Sequence, residues 1–254
     1  MDVIADDLAE NVTPVWHEKL FIRHSEGDCS GNLKLRALSD YLQEAAANHA
    51  AHLGVGLAAL AEKKMLWVLS RIRIQIDRMP RIGEVLTIRT WPSGFDKLFA
   101  TRQFTIYDEF RRIICRASSA WLLLDAETSR PLRSKSLPVQ LPLNADQPVH
   151  FEALQKIEPS TCAPAFEVSV RHSAVDINGH LNNAEYSGYI HDLLYAETGS
   201  AVNVSSFSIN FLSDMKEGDK MVISGTVGEK DFFAAGIKPD NKTVFTAIGE
   251  FKQA

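Results

Sequence analysis

Arg171-His172-Ser173-Ala174-Val175-Asp176-Ile177-Asn178-Gly179-His180-Leu181 has an earlier counterpart in the same chain, Arg23-His24-Ser25-Glu26-Gly27-Asp28-Cys29-Ser30-Gly31-Asn32-Leu33. The offset is 148 residues, and the register runs on into Ser39-Asp40-Tyr41-Leu42 against Ser187-Gly188-Tyr189-Ile190. A match held at one fixed period is the mark of a duplicated structural unit. The copies differ where reactive groups are concerned. The second carries an acid, an amide and an imidazole at Asp176, Asn178 and His180, whereas the first has Ser30 and Asn32 in the last two places. One half is equipped for chemistry and the other is reduced to scaffolding.

Around each copy the sequence repeats one plan. Ala37, Leu38, Tyr41, Leu42, Ala45, Ala46, His49 and Leu53 recur at three- and four-residue spacing, which predicts an amphipathic helix ended by Gly54 and Gly56. After Leu181, Asn182 with Glu185 predicts a capping box, followed by a helical face of Tyr186, Tyr189, Ile190 and Leu193. Strands fill the remainder. In the first, from Leu66 to Asp77, Leu66, Val68, Ile72, Ile74 and Ile76 are expected on one face and Arg71, Arg73 and Gln75 on the other. Further strands are expected at 85–91, 99–107 and 113–124, and again at 202–211, 221–227, 232–237 and 244–251, an antiparallel meander in each half. Pro80-Arg81-Ile82-Gly83-Glu84 and Met215-Lys216-Glu217-Gly218-Asp219 occupy equivalent turns.

Six of the ten prolines fall between Pro131 and Pro164, which reads as an extended linker laid over the surface. The division is therefore 1–130, a linker at 131–164, and 165–254. A long helix followed by an antiparallel sheet, twice over, is an α+β arrangement in which each sheet wraps its helix and the two sheets join. That is a tandem hot-dog.

The composition is that of a globular protein, 45% hydrophobic and 23% charged, with no apolar run near the length of a membrane span. Met1 to Val15 holds four acids and no basic residue, against a secretory or mitochondrial leader. Cys29, Cys115 and Cys162 have neither metal-ligand nor redox spacing, which suits a cytoplasmic protein with reduced thiols; Cys29 is expected to be a small buried hydrophobe. His49 and His52 stand one turn apart without a third ligand, so no metal is expected. The net charge of −5 conceals a basic island: Arg71 to Lys135 holds thirteen Lys/Arg against seven Asp/Glu. Such an island suits an anionic partner, although strand arginines facing solvent would give the same count.

Asp176, Asn178 and His180 occupy alternate positions, which in an extended segment would put all three on one side, next to a helix N-terminus. For attack on a thioester each has a use. An amide can hold the carbonyl oxygen as it becomes an oxyanion, an imidazole can take a proton from water, and a carboxylate can orient its neighbours or attack directly. The alternative is that the Asx residues and Gly179 simply make a tight turn.

The string from Asp176 to Tyr186 resembles the fatty acyl-ACP thioesterases, a family of tandem hot-dog hydrolases. The resemblance takes in Leu42-Gln43-Glu44-Ala45-Ala46-Ala47-Asn48-His49, the stretch from Leu66 to Pro80, Arg89-Thr90-Trp91-Pro92 and Ser118-Ser119-Ala120-Trp121. It implies that Asp176, Asn178 and His180 are catalytic. It also implies a further catalytic acid, which in this chain falls at Asp214, ahead of Gly218-Asp219. Plant members carry a cysteine beside that acid; Met215 stands here, so attack by water or a carboxylate is expected rather than by a thiol. With no transit peptide the chain is similar to bacterial members.

The implied activity is hydrolysis of a fatty acyl thioester on acyl carrier protein in fatty acid biosynthesis, with neither cofactor nor metal and no nucleic-acid partner. The first half would supply scaffold and substrate pocket, and the enzyme would be a monomer or homodimer. Two alternatives stay open: an acyl-CoA thioesterase of the hot-dog type, and a non-catalytic sensor of acyl thioesters.

Overall fold

Strands β2 (Met65–Ile76) and β7 (Val202–Phe211) run antiparallel at the middle of the molecule, with Arg71 opposite Asn210 and Gln75 opposite Ser206. The computed structural model describes residues 13–151 and 153–253. Most of the acidic N-terminal stretch considered above, residues 1–12, lies outside the described residues.

From this seam the sheet extends both ways. On one side lie β5 (Ile113–Asp125), β4 (Phe99–Tyr107), β3 (Val85–Asp96) and the edge strand β1 (Trp16–Phe21). On the other lie β10 (Thr243–Gln253), β9 (Asp231–Ile237), β8 (Lys220–Val227) and the edge strand β6 (Ala163–Ser169). The order β1-β3-β4-β5-β2-β7-β10-β9-β8-β6 reads the same way outward from the seam in both directions, so the halves are related by a pseudo-twofold axis. The fold is a tandem hot-dog. The two edge strands escape a reading of alternation: β1 is rich in charge, and β6 begins inside the proline-rich stretch and is largely exposed.

Each sheet half carries one long helix, α1 (Leu35–His52) and α3 (Asn183–Thr198), and the short α2 (Leu57–Ala61) follows α1. The axis passes between the long helices, where Ser39 Oγ and its counterpart Ser187 Oγ share a hydrogen bond of 2.7 Å. One continuous core fills both halves, with Leu38, Leu42, Ile74, Ile88 and Phe104 from the first joined to Ile190, Leu193, Phe207, Met221 and Phe245 from the second.

Two local expectations are corrected. A β-bulge between Leu69 and Arg71 reverses the phase of β2, so Met65 and Leu69 share the buried side with Ile72, Ile74 and Ile76, and Leu66 and Val68 do not. Asn182 does cap α3, accepting from the Ala184 N–H at 2.9 Å, but Glu185 does not reach back; it pairs with Arg36 of α1 at 2.8 Å.

The proline-rich stretch crosses the outer face of the sheet as a strap. Deprived of strand pairing, it is held by side chains. Arg89 of β3 bonds Gln147, Thr105 of β4 bonds His150, and Arg71 and Arg73 of β2 engage Leu154 and Phe151. Across the seam, Asn210 of β7 accepts from the Ile157 N–H at 2.6 Å and Thr246 of β10 donates to the Ile157 carbonyl at 3.0 Å.

These contacts, with ion pairs from Arg78, Arg112 and Arg116 to Glu84, Asp108 and Asp77, occupy much of the basic island internally. Arg102 is buried against His49 and Thr90 on the helix side of the sheet. Arg130, Arg133 and Lys135 make no ion pair among the described residues. Leu132, between them, packs on a small cluster of Leu53, Val55, Leu60, Met65 and Leu123.

Candidate active site

The segment from Asp176 to His180 is a tight turn, which corrects the extended segment expected from alternation. Asp176 Oδ1 accepts from the backbone N–H groups of Asn178 at 2.8 Å and His180 at 3.2 Å, while Asp176 N–H donates to the His180 carbonyl. Gly179 has φ +77, a left-handed conformation that a side chain would strain. The first copy folds identically: Asp28 Oδ1 accepts from Ser30 at 2.8 Å and Asn32 at 2.9 Å, and Gly31 has φ +79. Asp176 thus has a turn-forming role that Asp28 shares, because a carboxylate satisfying two backbone donors fixes the loop in either half.

What the second turn presents differs. His180 Nε2 lies 3.5 Å from Asp214 Oδ2, and both side chains are partly open to solvent. Asp214 comes from the segment after β7, which the fold pins beneath the turn through Leu181 N–H to the Met215 carbonyl. In the first half Leu33 N–H bonds the Pro80 carbonyl in the same way, so the counterpart of Asp214 is Met79 and that of His180 is Asn32. Asn178 is exposed, with Nδ2 3.4 Å from Asp176 Oδ2. The turn therefore brings Asp176, Asn178 and His180 together and sets Asp214 against His180.

Asn178 and Ile177 also line a cavity of about 520 Å³ in the first half. Its walls are mostly apolar, with Ala46, Ala47, Ala50 and Ala51 of α1, Leu57 and Leu60 of α2, and Trp67, Ala100 and Trp121 of the sheet, while Gln43, Asn48, Thr101 and Arg102 add polar groups. The small side chains of α1 keep the helix face low enough to leave this space. At the first turn, Asp28, Asn32 and Met79, with His191 of α3, border a small space of about 10 Å³.

Other candidates fall elsewhere. His172 is exposed and pairs with Glu217 at 3.0 Å. His49 hydrogen-bonds Arg102 and the Thr13 carbonyl, and burial lowers its pKa to about 4. Cys29 is exposed on the first turn, not buried as expected, and Met215 fills the place beside Asp214. Among the described residues, no group of three or more His, Cys, Asp or Glu side chains is placed to hold a metal ion, and no helix is long and apolar enough to cross a membrane.

The sequence reading missed Asp40 and Gln43 of α1. Gln43 Nε2 donates to Asn182 Oδ1 at 2.7 Å and to Asp40 Oδ1 at 3.1 Å, and Asn182 Nδ2 donates to the same Asp40 oxygen at 3.3 Å. The signal was available in the repeat, where Asp40 faces Gly188 in an otherwise similar run.

Two models of one family cover most of the chain, the acyl-ACP thioesterase N-terminal domain at residues 13–136 and the C-terminal domain at 158–244. The chain belongs to the acyl-ACP thioesterase family. Among curated relatives, the chloroplastic palmitoyl-acyl carrier protein thioesterase of Gossypium hirsutum is 30% identical over 191 residues, 69% of this chain and 46% of that protein. The chain spans about half the length of the curated relatives it matches first. Among solved structures, an acyl-ACP thioesterase from Bacteroides thetaiotaomicron matches with TM-score 0.86 and 26% identity over 94% of this chain and 98% of that one. The 12:0-ACP thioesterase of Umbellularia californica shares the fold, with TM-score 0.77 at 19% identity over 95% and 98% of the two chains.

Proposed function

We propose that the protein hydrolyses fatty acyl thioesters carried on acyl carrier protein, with Asn178, His180, Asp214 and Asp176 as its machinery. The observation that carries this is the apolar cavity of about 520 Å³ whose lining includes Asn178 of the complete motif. An alkyl chain threaded there would put its thioester at the turn. The Asn178 amide would donate to the carbonyl oxygen as it gains charge. His180 would remove a proton from the attacking water, and Asp214, 3.5 Å away, would orient the ring and stabilise its cation. As the C–S bond breaks, the imidazolium returns the proton to the thiolate. Asp176 holds Asn178 and His180 in one geometry. Met215 stands beside Asp214 where a thiol nucleophile would be needed, so water is the nucleophile on this reading.

The carrier assignment rests on family membership and on Arg130, Arg133 and Lys135, which flank the wall of the cavity through Leu132. Thiol release from acyl-ACP and acyl-CoA, followed side by side over a salt series, tests it. Turnover of acyl-ACP should fall steeply as salt rises to physiological strength, where screening acts beyond about 8 Å, and acyl-CoA should show a shallower slope. Equal slopes and equal rates would favour an acyl-CoA thioesterase, and no thiol release from either would overturn the hydrolase reading.

A further inference from the structure

We infer that Asp40 and Gln43, on the helix of the half that lacks the complete motif, are positioning residues for the turn that bears Asn178 and His180. The inference rests on the proposed role of that turn. Both side chains converge on Asn182, which stands two residues beyond His180 and caps α3. Asn182 is fixed on every side. Its Oδ1 accepts from Gln43 and from the Ala184 N–H, its Nδ2 donates to Asp40, and its backbone N–H donates to the Ala174 carbonyl. A displacement of Asn182 would pass through Leu181 to His180, and Gln43 itself lines the large cavity beside Asn178.

Pseudo-symmetry separates this role from mere helix packing. The counterparts of Asp40, Gln43 and Asn182 at the 148-residue offset are Gly188, His191 and Lys34. Among the described residues, no hydrogen bond joins Lys34 to His191; the Lys34 ammonium donates instead to the Ser25 carbonyl at 3.1 Å. The serine pair on the axis serves both halves alike, as expected of a contact that holds the helices together. The Asp40–Gln43–Asn182 triangle is present on one side, and it is the side with the imidazole.

Asp40 is half-buried, and burial raises its pKa above the ordinary carboxylate range. Arg36 on the same helix opposes that shift and Glu26 adds to it; Glu185 of α3 and the amides of Gln43 and Asn182 complete its surroundings.

The test compares Asp40→Ala, Gln43→Leu, Asn182→Ala and their double variants with His180→Ala, on the full chain with one acyl thioester. Small displacements of reacting groups cost up to roughly 100-fold. Asp40→Ala and Gln43→Leu should each lower kcat by about 10- to 100-fold while KM changes less than about twofold. Each should add nothing to Asn182→Ala, since residues acting through one partner are not additive. Asp40→Asn keeps an acceptor oxygen; it should fold normally and retain most of the turnover. Gln43→Glu, similar in shape, serves if Gln43→Leu does not fold, with the same kcat loss and the same non-additivity expected. Additive losses, a change confined to KM, or turnover in Asp40→Asn as low as in Asp40→Ala would overturn the inference. Normal turnover in His180→Ala would instead overturn the reading of the turn itself.

Discussion

At Asp28 and at Asp176 the chain makes the same turn, hydrogen bond for hydrogen bond, yet Ile177 and Asn178 of the second border a cavity of about 520 Å³ whose walls come mostly from the first half. Shape at the turn is therefore separable from use of the turn. In the first copy, Asn32 and Met79 stand in place of the imidazole and the acid. In the second, the pair His180 and Asp214 stands open beside a chamber that the other half provides. On the proposed function the halves are complementary: one supplies the reacting groups, the other most of the walls and the tether that aims them.

The sharpest way to break this comparison is to remove the imidazole. His180→Ala should lower kcat by ~10²–10⁴-fold with little loss of stability, while Asn32→Ala, its counterpart, should leave turnover near normal. Steady-state kinetics on purified variants decide it, and equal losses at the two positions would end the division of labour. Next in size is the amide. Asn178→Ala should cost ~10²–10³-fold in kcat, against no measurable change for Ser30→Ala. Asp214→Asn should fall between wild type and Asn178→Ala if the acid orients the ring rather than reacting.

A smaller effect should be shared by both halves. Asp176→Ala and Asp28→Ala each leave two turn N–H groups without their carboxylate, and each should lower unfolding free energy by about 1–3 kcal/mol. Chemical denaturation should show similar losses for the pair, with activity falling further only in Asp176→Ala. The smallest expected change is none: Cys29→Ser, Cys115→Ala and Cys162→Ser combined should keep hydrolysis, since none of these thiols lies beside Asp214. Abolished activity in a folded triple variant would restore a thiol to the mechanism.

Much of the fold was readable because a duplication supplies its own comparison. The offset of 148 residues located both turns and both long helices, and alternation located the eight inner strands. Alternation failed where local geometry breaks its period. The bulge at Ser70 inverted the faces of Leu66 and Val68, and the Asx turn bent a segment read as extended. The edge strands were hidden by charge and by Pro164, as solvent on one side removes the apolar signal. Asp214 could be placed because a family pattern pointed to it; nothing in its own sequence neighbourhood announces that it meets His180. The basic island is partly engaged within the molecule, Arg78, Arg112 and Arg116 by nearby acids and Arg71, Arg73 and Arg89 by the strap, a division that a count of charges along the sequence does not show.

The strap has a consequence for how the molecule responds to dilution. Two hot-dog units held by β2 and β7 alone would be a dimer whose integrity follows protein concentration by mass action. Joined covalently, the units face each other at an effective concentration in the millimolar range or above, set by the tether and not by the solution. The strap goes further than a tether, since Ile157 is bonded to both Asn210 and Thr246 while His150 is bonded to Thr105 in the other half. Separating the halves therefore means peeling the strap from the sheet as well as opening the seam. Within one chain their parting is then a single unimolecular event, which needs no second molecule to reverse it.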